Sequence, residues 1–551
     1  MKINNKEEKA LITLGVMATI AFMVLCFNNF DIYLTLGTIK DYGIPGLLLC
    51  GVIAFCVSHV QFLLYQHQKF KDYAGPPRKS FLEGNYGELR EAQAENKLFD
   101  LLRDWIIEYG DTIVFWRNAS PKFFTTDPDI IRSMLTEITI FKKVDAIPNR
   151  TLFGQRITGT NSFLTVTDGS HWAMKRKVMS PYFTKIHLTD MFERCDDYIR
   201  RGLQSQMNEL KMGETQVDLV WFYGELFQFF LGALGLDLDC EFVSKNAKFH
   251  NKAIQGLLSW IPLQFGGFTK LLQMRINPEV NDALTHLLKL RNVCQYILNE
   301  KMREYKKDGP KPDDIIHHVI TANKKSATLT SNASGEDRTM FMMDDVMTIF
   351  LVIDNMAKTL ATLFVRIIRD ERIYNKVCEE VRSVDMSSLQ AMDKSLRYTE
   401  MVILEILRLH PTLMRGIRET LKPTNLANGM HLPKKTLIFF GQLILHKHPK
   451  YWKDPLEFIP ERWESGSKDI TPFTYLPFVA GPRVCMGKHL AMMTMKMSII
   501  HTLRNHDMKP VPGTEKEMDW DYRFTIVRPT KGHKVIISRV ESDGEERKTT
   551  T

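Results

Sequence analysis

The chain has 551 residues, 44% of them hydrophobic and 25% charged, with a formal net charge of +9; this is enough apolar mass for a large core and excludes a disordered chain. The positive charge suits an acidic protein partner or an anionic membrane surface, but no Lys/Arg tract is interleaved with aromatics, so nucleic-acid binding is set aside. Eight cysteines without a CxxC pair point to no disulfide framework and no zinc site, which fits a reducing, cytosol-facing compartment.

Two uncharged apolar runs open the chain: "ALITLGVMATIAFMVLCF" over residues 10–27 and "GIPGLLLCGVIAFCVSHVQFLLY" over 43–65. Each approaches or exceeds the ~20 residues that cross a bilayer. Lysines precede the first run and "HQKFKDYAGPPRK" follows the second, so the positive-inside rule puts both ends in the cytosol. Residues 1–74 therefore read as a helical-hairpin membrane anchor; one span plus one interfacial segment is the other arrangement. "GPPR" at Gly75–Arg78 cannot continue a helix and reads as a stiff hinge.

The body, residues 75–540, shows no repeat and is dominated by helical periodicity. The longest pattern runs from Asp344 to Val381. Shorter β-like runs are "DTIVFWR" near Asp111, "KTLIFF" near Lys435 and "HKVIISRV" near His533. "KKDGPKP" and residues 324–338 read as exposed loops, and the tail 541–551 as disordered.

"FVAGPRVCMG", Phe478–Gly487, surrounds one cysteine with two glycines and an arginine. A nucleophilic thiolate needs a histidine base in reach; a thiolate that ligates haem iron needs other company. Backbone N–H groups must approach the sulfur, which Gly481 and Gly487 permit. Arg483 supplies a non-titrating fork for a haem propionate, and Phe478 can shield the sulfur from water.

These five residues match every fixed position of FxxGxRxCxG, the haem-binding loop of the cytochrome P-450 family, and the chain resembles that family from about Gly75 to Val540. Further matches fall in the family's order. Glu405 and Arg408 in "EILR" give its ExxR pair, spaced i, i+3 on one helical face, and "FIPERW" gives Arg462, which in the family joins that pair in a buried charge network. Trp172 and Arg176 in "GSHWAMKRKVMSPYF" resemble its WxxxR helix, and "HPTLMRGIR" places Arg418, with Arg415 as the alternative, at another propionate position. The resemblance implies a mainly α fold with a small β region near the N-terminal side and haem b between a long central helix and the cysteine loop. Cys485 would be the axial iron ligand, with Trp172, Arg176, Arg418, Phe478, Gly481, Arg483 and Gly487 around the cofactor.

The central helix departs from the family. Its usual [AG]GxxT with a preceding acid is replaced by "FLVIDNMAKTLAT", Phe350–Thr362. In one register Asp354 takes the acid position and Asn355 the threonine position; in the other, Asn355 and Met356 do. The first keeps a carboxylate where a proton source is needed. An asparagine amide holds a water but cannot relay a proton as a hydroxyl does.

The resemblance implies a membrane-bound monooxygenase that inserts an oxygen atom into a lipophilic substrate, with electrons drawn from NADPH through an acidic flavoprotein reductase. The altered helix keeps open a reductase-independent isomerase or dehydratase of lipid peroxides; a non-catalytic haem-binding protein is the third reading. Short segments are similar to the cholesterol 24-hydroxylase and fatty-acid hydroxylase branches, which points to a sterol or long-chain lipid and to the endoplasmic reticulum membrane, catalytic domain facing the cytosol. The expected pocket walls are the stretch after Ile147, the residues before Asp354, Thr412–Arg415 and "RFTIV" near Phe524.

Overall fold

The computed structural model describes residues 51, 57–58, 61–62, 64–80, 83–117, 120–144, 169–236, 278–327, 335–464, 470–522 and 527–540. The expected span at 10–27, most of that at 43–65, the stretch after Ile147, Arg523–Ile526 and the tail lie outside the described residues. The chain forms two compact units, residues 1–90 with 105–124, and 91–104 with 125–551.

In the first unit the described residues between 57 and 65 are helical, and Val57, Phe62 and Leu64 are about half exposed. β1 (Thr112–Arg117) and β2 (Ser120–Thr125) are neighbours in a sheet. The expected hinge folds onto β1. Arg78 stacks 4.3 Å from the Trp116 ring, and Asn85 exchanges hydrogen bonds with the Trp116 backbone at 2.6 and 2.9 Å. Gly75 is required there, because a Cβ would meet the Val114 carbonyl oxygen at 2.0 Å.

The second unit is mainly helical. Its principal helices are α1 (Pro128–Thr136), α2 (Ser170–Met179), α3 (Phe192–Asn208), α4 (Leu219–Phe230), α5 (Pro278–Asp308), α6 (Ile315–Ala327), α7 (Gly335–Ile367), α8 (Glu371–Arg382), α9 (Arg397–Leu409) and α10 (Lys488–Leu503). Strand β3 (Phe141–Lys143) pairs antiparallel with β5 (Gly416–Thr420), which pairs with β6 (Leu437–Phe440); Arg418 faces Ile438 and Lys143 across this sheet. A second sheet joins β4 (Gln216–Asp218), β7 (His506–Pro510) and β8 (Lys534–Arg539). The mainly α expectation holds, and the three quoted β-like runs are β1, β6 and β8. β structure is not confined to the N-terminal side: β5 to β8 come from the last quarter of the chain, because antiparallel partners need not be close in sequence.

α7 is the axis of the core. Between Met342 and Ile367 it is long and apolar enough to cross a membrane, yet 81% of its most apolar window is buried inside the protein; it is a core helix. α4 packs along it, with Tyr223 stacked on Phe364 at 5.4 Å and its hydroxyl 3.2 Å from Thr502. Asp218 starts α4 by accepting from Val220 N and Trp221 N, which satisfies two orphan donors. The helical pattern over 344–381 is divided between two helices. Asp370 leaves helical geometry and accepts from Ile373 N at 3.1 Å, capping α8 and closing α7 at Ile367. α7 also begins earlier than the pattern showed, at Gly335, and α6 runs to Ala327, so helix replaces both ends of the loop expected over 324–338.

Candidate functional site

The cysteine loop connects Leu476 to α10. Gln442 donates to Leu476 O at 2.6 Å, Leu476 N donates to His446 Nε2 at 2.7 Å, and Tyr475 OH donates to Leu404 O on α9 at 2.9 Å. Burial holds the His446 imidazole down to about 3, with the Arg408 charge second, so the ring is neutral and keeps a lone pair for Leu476. The loop closes through Cys485 N donating to Phe478 O at 2.9 Å, while Phe478 packs against the core.

The two glycines serve different ends. Gly481 has φ +70°, and a Cβ there would sit 2.1 Å from the Leu135 carbonyl oxygen at the end of α1, so backbone conformation and close approach both demand glycine. At Gly487 a Cβ would meet nothing closer than Cys485 Sγ at 4.0 Å. Its contribution is an N–H that bonds the cysteine. Gly481 is thus demanded by its own backbone and the close approach to α1, whereas the Gly487 backbone acts on the thiol.

Cys485 is the exposed thiol among the described cysteines; Cys195, Cys294 and Cys378 are buried. Burial pushes Cys195 up to about 12 and Cys378 up to about 11, which leaves both inert. Cys485 is open to solvent yet surrounded by protein mass: desolvation raises it, and the Gly487 N–H and then the Arg176 charge pull it back. Arg176 lies on α2 one turn after Trp172. Burial lowers the Arg176 value and the Cys485 charge opposes that. The Arg483 guanidinium stacks 4.0 Å over the buried Trp172 ring. Trp172, Arg176, Arg483 and Cys485 thus come together from α2 and the loop. On another face of α2, Lys175 donates to Asp345 Oδ2 at 2.6 Å; Asn323 joins at 2.9 Å. This buried contact fixes α2 so that Trp172 and Arg176 face the cysteine.

An accessible thiol, two guanidinium groups and an indole N–H suit an iron porphyrin with anionic propionates. Arg418 is buried on β5; it donates to Ile417 O at 2.9 Å and lies 5.7 Å from the Phe440 ring. Arg415 lies 5.9 Å from Phe439.

The ExxR pair is a buried hub. Arg408 donates to both Glu405 oxygens at 2.9 and 2.8 Å and to the carbonyls of His446, Pro455 and Glu457. Arg462 Nε donates to Glu405 at 3.0 Å, as do Ile459 N and Trp463 Nε1. Both Glu405 and Arg408 side chains are fully buried.

On α7, Asp354 accepts from Lys358 one turn later, in a pair that is almost wholly buried. Asn355 Oδ1 is buried without a hydrogen-bond partner. Thr359 donates to Asn355 O at 2.8 Å and lies 3.4 Å from the Thr412 hydroxyl. Met356 receives Thr494 of α10 at 3.3 Å. The face that the alternative register assigned to the hydroxyl therefore meets α10 through a thioether.

These features define a haem-thiolate protein. The family model for cytochrome P450 matches residues 75–537, and the chain belongs to that family. Among its relatives are cytochrome P450 3A13 of Mus musculus, 25% identical over 74% of this chain and 81% of that protein, and cytochrome P450 3A5 of Homo sapiens, 25% identical over 91% and 98%. Cytochrome P450 3A7 of Homo sapiens is 24% identical over 86% and 93%. The chain is a haem-dependent monooxygenase, with haem held by a cysteine thiolate and electrons supplied from NADPH through a reductase.

Sequence reading passed over Trp463, His446 and Lys358. Trp463 stands beside Arg462 in the quoted "PERW", and Lys358 lies inside "FLVIDNMAKTLAT". A lysine in a run otherwise that apolar was the available signal for a buried pair.

Proposed function

We propose that this chain is a membrane-anchored monooxygenase that hydroxylates a sterol or long-chain lipid, with Cys485 as the axial thiolate. The observation that carries this reading is the accessible Cys485, which meets the Arg176 charge while Arg483 stacks on Trp172 nearby. Haem bound there supplies oxygen activation and oxidation of an unactivated C–H bond. Arg176, Arg483 and Trp172 would hold its propionates, with Arg418 or Arg415 as a further cation. The Gly487 N–H would spread charge from the sulfur, and Phe478 would keep water from it. Glu405, Arg408 and Arg462 hold the segment that presents the loop. Asp354 and Asn355 occupy the proton-handling position of the central helix.

The basic surface suits docking of an acidic flavoprotein reductase, and the apolar runs at 10–27 and 43–65 suit anchoring in the endoplasmic reticulum membrane with the body in the cytosol. The half-exposed Val57, Phe62 and Leu64 are consistent with that anchor. The lipid class rests on the similarity of short segments to sterol and fatty-acid hydroxylases.

Cys485→Ala protein should lose the thiolate–carbon monoxide absorption of the reduced wild type; an unchanged spectrum would overturn the ligand assignment. Membranes with reductase, NADPH and a sterol and fatty-acid extract under ¹⁸O₂ should yield label in a new hydroxyl. Unlabelled, NADPH-independent conversion of lipid hydroperoxides would instead support peroxide rearrangement.

A further inference from the structure

Asp354 and Lys358 pair within one turn of α7, where Lys175 and Asp345 of the α2 contact come from two different helices. The Asp354 and Lys358 side chains are almost fully buried, at 7% and 3% exposure, and they sit at i, i+4 on α7 with the acid first, the orientation that helices favour. Lysine is the rarer choice for a buried position, because its compact ammonium is strongly hydrated. Its neighbours in sequence are apolar or small: Met356, Ala357, Leu360 and Ala361. The next residue after the acid, Asn355, offers a buried amide oxygen that accepts no hydrogen bond. The Thr359 hydroxyl, one turn on, is engaged by the Asn355 carbonyl. This turn of α7 therefore carries a closed ion pair beside an amide with an acceptor to spare.

We propose that Lys358 is a positioning residue of the oxygen-handling site: its ammonium holds the Asp354 carboxylate in one orientation on a helix that has Asn355 where a hydroxyl would otherwise relay protons. The inference rests on the placing of Asp354 and Asn355 at the proton-handling position. A buried carboxylate without a counter-charge keeps its proton and cannot cycle between taking one up and passing one on. Lys358 supplies a counter-charge within the same helix turn and fixes which way the carboxylate points. The Asn355 amide can hold water but cannot substitute for the acid. The step is proton transfer alone: a proton enters the carboxylate from water and leaves to water, and the ammonium keeps its own protons.

The test uses full-length holoprotein in membranes with reductase and NADPH, and reads the partition of electrons between hydroxylated product and hydrogen peroxide. Lys358→Met should move that partition towards peroxide about tenfold, and Lys358→Arg should restore most of it. In an Asp354→Asn background, Lys358→Met should add less than twofold, because a residue that acts through Asp354 has nothing left to act on. Infrared difference spectra of the resting protein give a readout independent of turnover. Lys358→Met should show a protonated-carboxyl band that is absent from wild type and from Lys358→Met/Asp354→Asn. The double variant, which removes both buried charges, also covers the case in which the single variant fails to fold. Additive effects of the two substitutions, or no new carboxyl band in Lys358→Met, would overturn the proposal. Loss of the thiolate spectrum's dependence on Cys485 would instead remove the reading beneath it.

Discussion

Two buried ion pairs on α9 and α7 use the same charges to different ends. Glu405 accepts five hydrogen bonds, from Arg408 twice, Arg462, Trp463 and the Ile459 backbone, and Arg408 spends its remaining donors on three carbonyls. Asp354 and Lys358 have each other. A buried charge is tolerated when its hydrogen-bonding capacity is met, and a hub with every site filled fixes one geometry. A two-member pair fixes one contact and leaves the other acceptors of the carboxylate uncommitted. The difference separates a filled structural hub from the sparser pair on which the role proposed for Asp354 rests.

The sharpest way to break this contrast is at Glu405. Glu405→Gln should cost about 3–5 kcal/mol, because it leaves Arg408 buried and uncompensated. Denaturant unfolding of the purified holoprotein measures it; a loss under about 1 kcal/mol would show that the three carbonyls alone satisfy Arg408.

The second prediction moves the contrast to the two glycines of the loop. Gly481→Ala should cost on the order of 3 kcal/mol, since a left-handed residue is forced against a backbone carbonyl. Gly487→Ala should cost no more than about 1 kcal/mol, because its Cβ meets only ordinary contact at 4.0 Å. Comparing the unfolding midpoints of the two variants checks this; equal losses would refute the separate roles assigned to them.

What could be read from the sequence follows the same division. Cys485, Glu405, Arg408 and Arg462 were legible because their motifs resemble those of one family in residue type and order along the chain, and the mainly helical fold because apolar residues recur at helical intervals. The break at Asp370 was missed, since one polar cap inside a continuing periodic pattern changes nothing in the period. Trp463 and His446 were illegible for a different reason. Their partners, Glu405 and Leu476, are remote along the chain, and an indole N–H or imidazole bound to a distant group has no local signature. Arg418 was readable only by its motif position; that β5 pairs it with Ile438 and Lys143 has no local signature in the sequence.

An effect smaller than the loss at Gly481 is a pH dependence that ties the hub to the cysteine loop. His446 accepts from Leu476 N on the loop while its carbonyl accepts from Arg408. Its imidazole protonates near 6.5 in an unfolded chain and near about 3 in the folded protein, chiefly through burial. The unfolded state therefore binds more protons between these values. The stabilisation is whole above pH 6.5 and is lost as pH falls towards 3, at ~1.4 kcal/mol per pH unit for one proton. Between pH 6.5 and 5 wild type should lose about 2 kcal/mol more than His446→Gln, whose amide oxygen still accepts from Leu476 but does not titrate. Denaturant unfolding at a series of pH values gives the two slopes. Parallel slopes would mean that the imidazole charges without leaving its place, and that the loop is held by Gln442 and Tyr475 without it.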